Sequence, residues 1–299
     1  MMNPFSSVQQ RVGEMIFERV AGDEGPARRD RIHLSTGPRR YGPESAIHRV
    51  HGDASMFVGG MRALLLQSLH PLAMAAVDQH SGYRGDPWGR LQRTSTFLAE
   101  TTFGTLEDAD RAMRIVRAVH KRITGTAPDG RPYAASDPHL IRWVHVAEID
   151  SFLRAHDRYG AHPLDAGGRN DYVRETAFVA RGLGAVDVPE TTAELDELLA
   201  LYRPELKSTA AARRTARFIL LNPPIPLPVR PAYGLLSSVA VSMMPRWTRL
   251  PLRLPYLPIT EATAVRGSGI AITTAIRWAL SPAAVQRDST DQAVPAVGG

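Results

Sequence analysis

Two Asp-Pro pairs, Asp86-Pro87 and Asp137-Pro138, and the glycines downstream of them constrain this chain more than any other feature. An aspartate side chain can accept from the free amides of a first helical turn. Proline fits the first helical position because it has no N–H to leave unpaired. The first pair predicts a helix to about Phe103, ended by Gly104. Thr105-Leu106-Glu107-Asp108 resembles a capping box, with Asp in place of Glu or Gln. It opens a second helix to about Thr124, stopped at Gly125. The second pair opens a third, to about Tyr159 before Gly160. From Glu44 to Ala279 the apolar period is helical, with no run of strand-like alternation. Further helices are expected at Val58–Gln79 with a kink at Pro71, at Asp171–Gly182, Thr192–Tyr202, Thr209–Leu221 and Ala262–Ala279. The expected class is all-α.

The flanks differ. A short helix near Ser7–Val20 should lead into an extended arm, because Ala21–Pro43 is polar and rich in Arg, Gly and Pro. Residues 1–44 are read as helix and arm, 45–280 as one domain, and 281–299 as a small, polar, disordered tail. Asn222–Pro258 holds nine of the 23 prolines around an apolar island, Tyr233–Met244. Proline this dense cannot continue a helix. The segment reads as a crossover around one buried helix; the alternative is an apolar lid or a peripheral membrane contact through 222–258.

The chain has no cysteine, which removes disulfides, thiolate-ligated metals and cysteine nucleophiles. No secretory signal or run of about 18 apolar residues is present. The expected location is cytoplasmic, with membrane-peripheral contact as the variant. The net charge is +6, and of the 36 basic residues only Lys121 and Lys207 are lysine. The arginines are scattered and accompany no nucleic-acid motif, so no nucleic-acid partner is expected. Dinucleotide, P-loop and nucleophile-elbow signatures are absent.

Helical projection then isolates polar groups on apolar faces. In the second helix His120 falls among Ala109, Ala112, Met113, Val116, Val119 and Ile123. It is either a core histidine bonded to a carbonyl or an axial metal ligand. In the first helix Leu91, Phe97 and Leu98 mark the buried side. Arg90 and Thr94 fall within that arc and Arg93 on its border. A buried guanidinium requires an anion. The partner is a core carboxylate such as Glu148 or Asp150, or a bound anion. His145 and Glu148 share one face of the third helix. This single His-x-x-Glu, in reversed order, makes a di-iron bundle the lesser alternative. His70 and His80 read as pocket-lining or structural.

Five motifs in order carry a family resemblance. They are His48-Arg49-Val50-His51-Gly52-Asp53, Gly60 through Gln67-Ser68-Leu69-His70-Pro71, Arg90-Leu91-Gln92-Arg93-Thr94, Val116-Arg117-Ala118-Val119-His120, and Asp137-Pro138-His139-Leu140-Ile141-Arg142-Trp143-Val144-His145. Over about residues 45–280 the chain resembles the oxygenase family of the latex-clearing rubber oxygenases and the endoplasmic-reticulum oxygenase of mycophenolic acid biosynthesis. The resemblance implies a globin-like, haem b-binding fold, with His120 as axial iron ligand. It implies an Arg90, Arg93 and Thr94 cluster near the haem, with His145 a further haem-pocket residue. It further implies an oxygenase acting with dioxygen on an apolar small molecule of the alkene or isoprenoid type. The alternatives are a haem peroxidase-like enzyme and a haem-free helical protein binding a ligand or partner. Arg93 stands where the latex-clearing enzymes have Lys, and a guanidinium offers iron no lone pair. Met74–Asp78 lacks the glutamate that serves those enzymes as base.

Overall fold

The computed structural model describes residues 4–80 and 85–281, with side chains from Val8 onward. The expected tail therefore lies outside the described residues, apart from Ser281. The fold is all-α apart from one small hairpin.

The chain begins with α1 (Pro4–Ala21) and α2 (Gly25–Leu34), so a second helix stands where an extended arm was expected. Only Gly25 and Ile32 of α2 are buried, so no apolar stripe announces it. Tertiary polar contacts hold it instead: Arg28 donates to Thr96 Oγ1 at 2.9 Å. Next come α3 (Ala46–His51), α4 (Met56–Gln67) and α5 (Pro71–His80). The expected kinked helix is thus two helices. Pro71 cannot supply an amide to the preceding turn. His70 caps the new start, its carbonyl accepting from Met74 N at 2.9 Å and its Nδ1 from Ala73 N at 3.4 Å.

α6 (Pro87–Phe103) and α7 (Leu106–His120) form an antiparallel pair. Asp86 caps α6 by accepting from Gly89 N. The capping box of α7 closes fully, with Asp108 serving in the place of Glu. α7 ends at His120 rather than Thr124, because the chain enters β1 (Thr124–Thr126), which pairs with β2 (Pro132–Ala134). Gly125 is a strand residue, not a helix stop. A Cβ there would lie 2.5 Å from the Tyr133 hydroxyl.

α8 (Pro138–Tyr159) has the expected bounds, and α9 (Ala166–Leu183) starts earlier than expected. α10 (Thr192–Tyr202) is followed by a 3-10 turn, Arg203–Glu205, then α11 (Ala210–Leu221). The apolar island forms α12 (Arg230–Ser242), packed on α4 and against Tyr159 and Ala155 of α8. α13 (Arg246–Arg249) and α14 (Pro258–Thr260) lead through a π turn, Glu261–Val265, into α15 (Arg266–Ala279).

The centre is α4 against α8. A Cβ on Gly59 would lie 3.1 Å from Phe152 Cα, so glycine permits the close approach. Arg62 and Asp150 are buried across this seam, 2.8 Å apart. Arg62 also donates to Ser151 Oγ at 2.6 Å and to the Met243 carbonyl at 3.0 Å. Asp150 has a second partner, Arg154 Nε at 2.5 Å.

The two charges are not equivalent. Asp150→Asn strips buried Arg62 of its only carboxylate partner among the described residues and should cost about 3–5 kcal/mol, the range for breaking a buried pair. Arg62→Met leaves Asp150 with Arg154 and should cost less. Urea unfolding followed by circular dichroism checks the order; an equal or reversed order refutes it.

Candidate active site

The paired helices α6 and α7 turn back on each other at Gly104 and Thr105. Arg90 is 13 residues before Phe103 and His120 is 14 after Leu106. At about 1.5 Å per residue, both lie roughly 20 Å from the turn, at the open end of the pair. His120 is half-buried, and its Nδ1 is buried with no hydrogen-bond partner. Burial lowers its pKa, favouring the neutral imidazole. No carbonyl accepts from this nitrogen, so the reading as a carbonyl-bonded core histidine is not what the structure shows. The apolar arc around it is only partly covered: Ala109, Ala112 and Met113 are buried, whereas Val119 is 49% exposed.

The cluster on α6 departs from its expected burial. Arg90 is half-buried, but Arg93 and Thr94 are exposed. Arg93 lies 3.4 Å from Asp86, also exposed. The Thr94 hydroxyl donates to the Arg90 carbonyl at 3.0 Å. Leu91, Phe97 and Leu98 are only half-buried, and so are Gln92, Thr96 and Glu100 on the side expected to be wet, because α1 and α2 pack on α6; the projection does not separate an inward from an outward side here. The carboxylates considered as partners are elsewhere: Asp150 belongs to Arg62 and Arg154, and Glu148 forms no ion pair among the described residues.

Behind α6 lies a second polar group, built on α3, α8 and α9. His51 lies 2.8 Å from Thr102 Oγ1 through Nδ1 and 3.2 Å from the Tyr172 hydroxyl through Nε2. Burial brings His51 down to about 3, and His145 likewise to about 3. His145 Nε2 is buried with no partner. Glu148, one turn along α8, is pushed up to about 7 by desolvation. Tyr172 is raised well above its usual value, by burial and then by the charge of Glu148. His51 and Glu148 are half-buried, and His145 and Tyr172 beside them are buried.

The sequence matches the family described as ER-bound oxygenase mpaB/B'/rubber oxygenase, catalytic domain, over residues 48–278. The chain belongs to this family. Its activity class is accordingly that of an oxygenase, which acts on a substrate and dioxygen. No curated protein and no solved structure gave a match. The matched span begins at His48 and includes all five motifs of the sequence reading.

Two surface clefts, of about 500 and 380 Å3, lie away from His120. One is lined by residues from Asp187 to Leu201, the other by Arg31, Thr105 and Arg111 among others. Their lining carries no imidazole and no buried unpaired donor. The histidines described above with a buried ring nitrogen lacking a hydrogen-bond partner, His120 and His145, lie instead on α7 and α8. Sequence reasoning had named Glu148, but only as a partner for arginine or as part of a di-iron motif. The signal it missed was the opposing polar set on α3 and α9, which lies far away in sequence. No helix among the described residues is long and apolar enough to cross a membrane.

A carboxyl whose pKa is raised on folding binds its proton more tightly in the folded state. Its contribution is intact below the unfolded value of 4.5 and is lost as pH rises toward about 7. Glu148→Gln should therefore stabilise the protein at pH 8, by up to about 3 kcal/mol, and change little at pH 4. Urea midpoints at the two pH values test this; a gain of equal size at both would show that proton binding is not the cause.

Proposed function

We propose that the chain is a haem b-dependent oxygenase acting on an apolar substrate, with His120 as the axial ligand. The observation that carries this reading is the His120 imidazole. It is kept neutral by burial, has a buried ring nitrogen without a partner, and lies within the span that matches the family. Neutral imidazole on a helix is the ordinary protein ligand of haem iron. The donor set fits the group on this side. Arg90, half-buried at the same end of the helix pair, and exposed Arg93 are placed to answer acidic propionates at the protein surface. Arg93 cannot serve as a second iron ligand.

When bound, haem supplies the iron chemistry that activates dioxygen. The protein's own residues do the rest. The half-buried Leu91, Phe97 and Leu98 exclude water and favour an apolar substrate. His145 stays neutral across the working range and offers a ring nitrogen without a cationic charge. Glu148 holds or releases a proton at its carboxylate near neutrality, in a chain whose α5 lacks a glutamate for that task. Thr94 spends its hydroxyl proton on the helix backbone, so its role is limited to shaping α6.

Peripheral membrane contact belongs to the same proposal. Leu250 is 87% exposed, and Leu227 and Leu257 also face solvent beside exposed Arg230, Arg246 and Arg253. Apolar side chains with neighbouring cations suit an anionic bilayer surface.

Three outcomes test the reading. Purified protein supplied with haem should show a Soret band that His120→Ala abolishes. A colourless protein at full haem supply refutes the enzyme assignment, and a band indifferent to His120→Ala refutes the ligand. Product formation with dioxygen but not with hydrogen peroxide separates an oxygenase from a peroxidase. Co-sedimentation with anionic but not neutral vesicles, lost in the Leu250→Asp and Leu257→Asp double variant, tests the membrane contact.

A further inference from the structure

A histidine-rich cluster at the far end of α8 takes no part in the site above. His70 precedes α5, His139 lies in the first turn of α8, and Glu205 closes the 3-10 turn after α10. His139 Nε2 is 3.0 and 2.9 Å from Glu205 Oε1 and Oε2, and His70 Nε2 is 3.3 Å from Oε2. All three donor atoms fall within 4.8 Å of one another. His70 is essentially buried at 1%, whereas His139 and Glu205 are 38% and 39% exposed. The cluster thus has a buried floor and an open side.

The surroundings of His139 decide how its ring is oriented chemically. The Tyr202 hydroxyl donates to the His139 carbonyl at 2.8 Å, so toward His139 Nδ1, 3.4 Å away, it offers a lone pair. That oxygen can receive hydrogen on Nδ1 once Nε2 has given its own up to a metal ion. The 2.9 Å contact is an Nε2–H donating to the Glu205 carboxylate, and a metal ion would displace that proton and sit between the same two groups. An imidazole whose other nitrogen meets an oxygen is the usual outer arrangement of a metal-binding histidine. Arg142 lies 3.5 Å from the same Nδ1, but its guanidinium is also engaged by Tyr202, the Val186 carbonyl and Asp187.

We infer that His70, His139 and Glu205 form a binding site for a divalent transition-metal ion such as zinc, separate from the oxygenase centre. Two imidazoles and one carboxylate are a donor set that suits zinc, with the fourth position open to water. Ligand atoms about 2.0–2.1 Å from a tetrahedral ion are roughly 3.3 Å apart; the two imidazole–carboxylate spacings here are 2.9 and 3.3 Å, and the two imidazoles lie within 4.8 Å of each other. Binding costs something at His70. Its Nδ1 now accepts from Ala73 N at 3.4 Å, which puts hydrogen on Nε2. The ion takes that place, the hydrogen moves to Nδ1, and the long cap contact is given up. Affinity should therefore fall in acid, where protons compete for both imidazoles. The ion would tie the start of α5, the start of α8 and the turn after α10 together.

The test uses the full chain, haem-loaded as purified, with zinc and haem iron counted separately after zinc exposure and gel filtration. About one zinc per chain is expected. Glu205→Gln and His139→Ala should each weaken zinc binding more than about tenfold while leaving the haem count unchanged. The unaltered protein gives a second readout: a zinc-dependent rise in melting temperature at pH 7.5, reversed by a chelator. Absence of stoichiometric zinc, or zinc binding indifferent to both substitutions, overturns the inference and leaves a cluster held by protons alone. Loss of the haem band without loss of zinc would count against the oxygenase reading only.

Discussion

Arg62 and Asp150 hold the molecule together at its middle. Two charges are taken out of water between α4 and α8, and the cost of doing so is offset only because every strong contact is made at once. Asp150 accepts from Arg154, and Arg62 reaches past α8 to the Met243 carbonyl just beyond α12. The pair therefore fixes three elements. Neither charge tolerates a slip of one residue along the seam, so it sets the register of α8. That register decides which way the rest of α8 faces.

With α8 fixed, its polar groups divide between two places. His139, at the start, is turned toward the cap of α5 and the turn after α10. His145 and Glu148, farther along, belong with α9, where Ile141 one turn earlier packs among Ala177, Ala180 and Ala185. Arg277 secures the other end, bonding both oxygens of Asp53 and the Tyr159 carbonyl. The α6–α7 pair is different in kind. Apart from Thr101 and Thr102, the whole of α6 stops short of full burial. A rigid centre beside a helix pair with uncovered apolar surface is what a binding site on a fixed scaffold requires.

Much of this was legible because helix ends are local chemistry. Asp86, Thr105 and Asp137 all cap the helices assigned to them, and α8 has the predicted bounds, because a cap and the amides it satisfies lie within four residues. The misses share a cause. α2 lacks an apolar stripe and is held by Arg28 reaching Thr96, 68 residues away. Gly125 resembled a stop but belongs to a hairpin whose partner strand lies beyond a turn. His120 was isolated by its apolar neighbours, a local signal. Thr94 was misplaced because a projection of α6 alone does not know that α1 and α2 cover part of the side expected to be wet. The His51–Tyr172 contact joins residues 121 positions apart, and no local pattern announces it.

The protonation of the interior follows from the same burial. Between about pH 3 and about pH 7, His51 and His145 are neutral because charging them costs solvation, and Glu148 is neutral for the same reason. One physical term, acting on acids and bases in opposite directions, leaves the interior set without net charge over that range. Above it, the single new charge is the carboxylate of Glu148, beside a Tyr172 hydroxyl that this charge makes still harder to ionise. A neutral interior suits an apolar occupant. A lone carboxylate formed just above neutrality, with no ion-pair partner among the described residues, gives that interior one proton acceptor and places it on the helix whose register Arg62 sets.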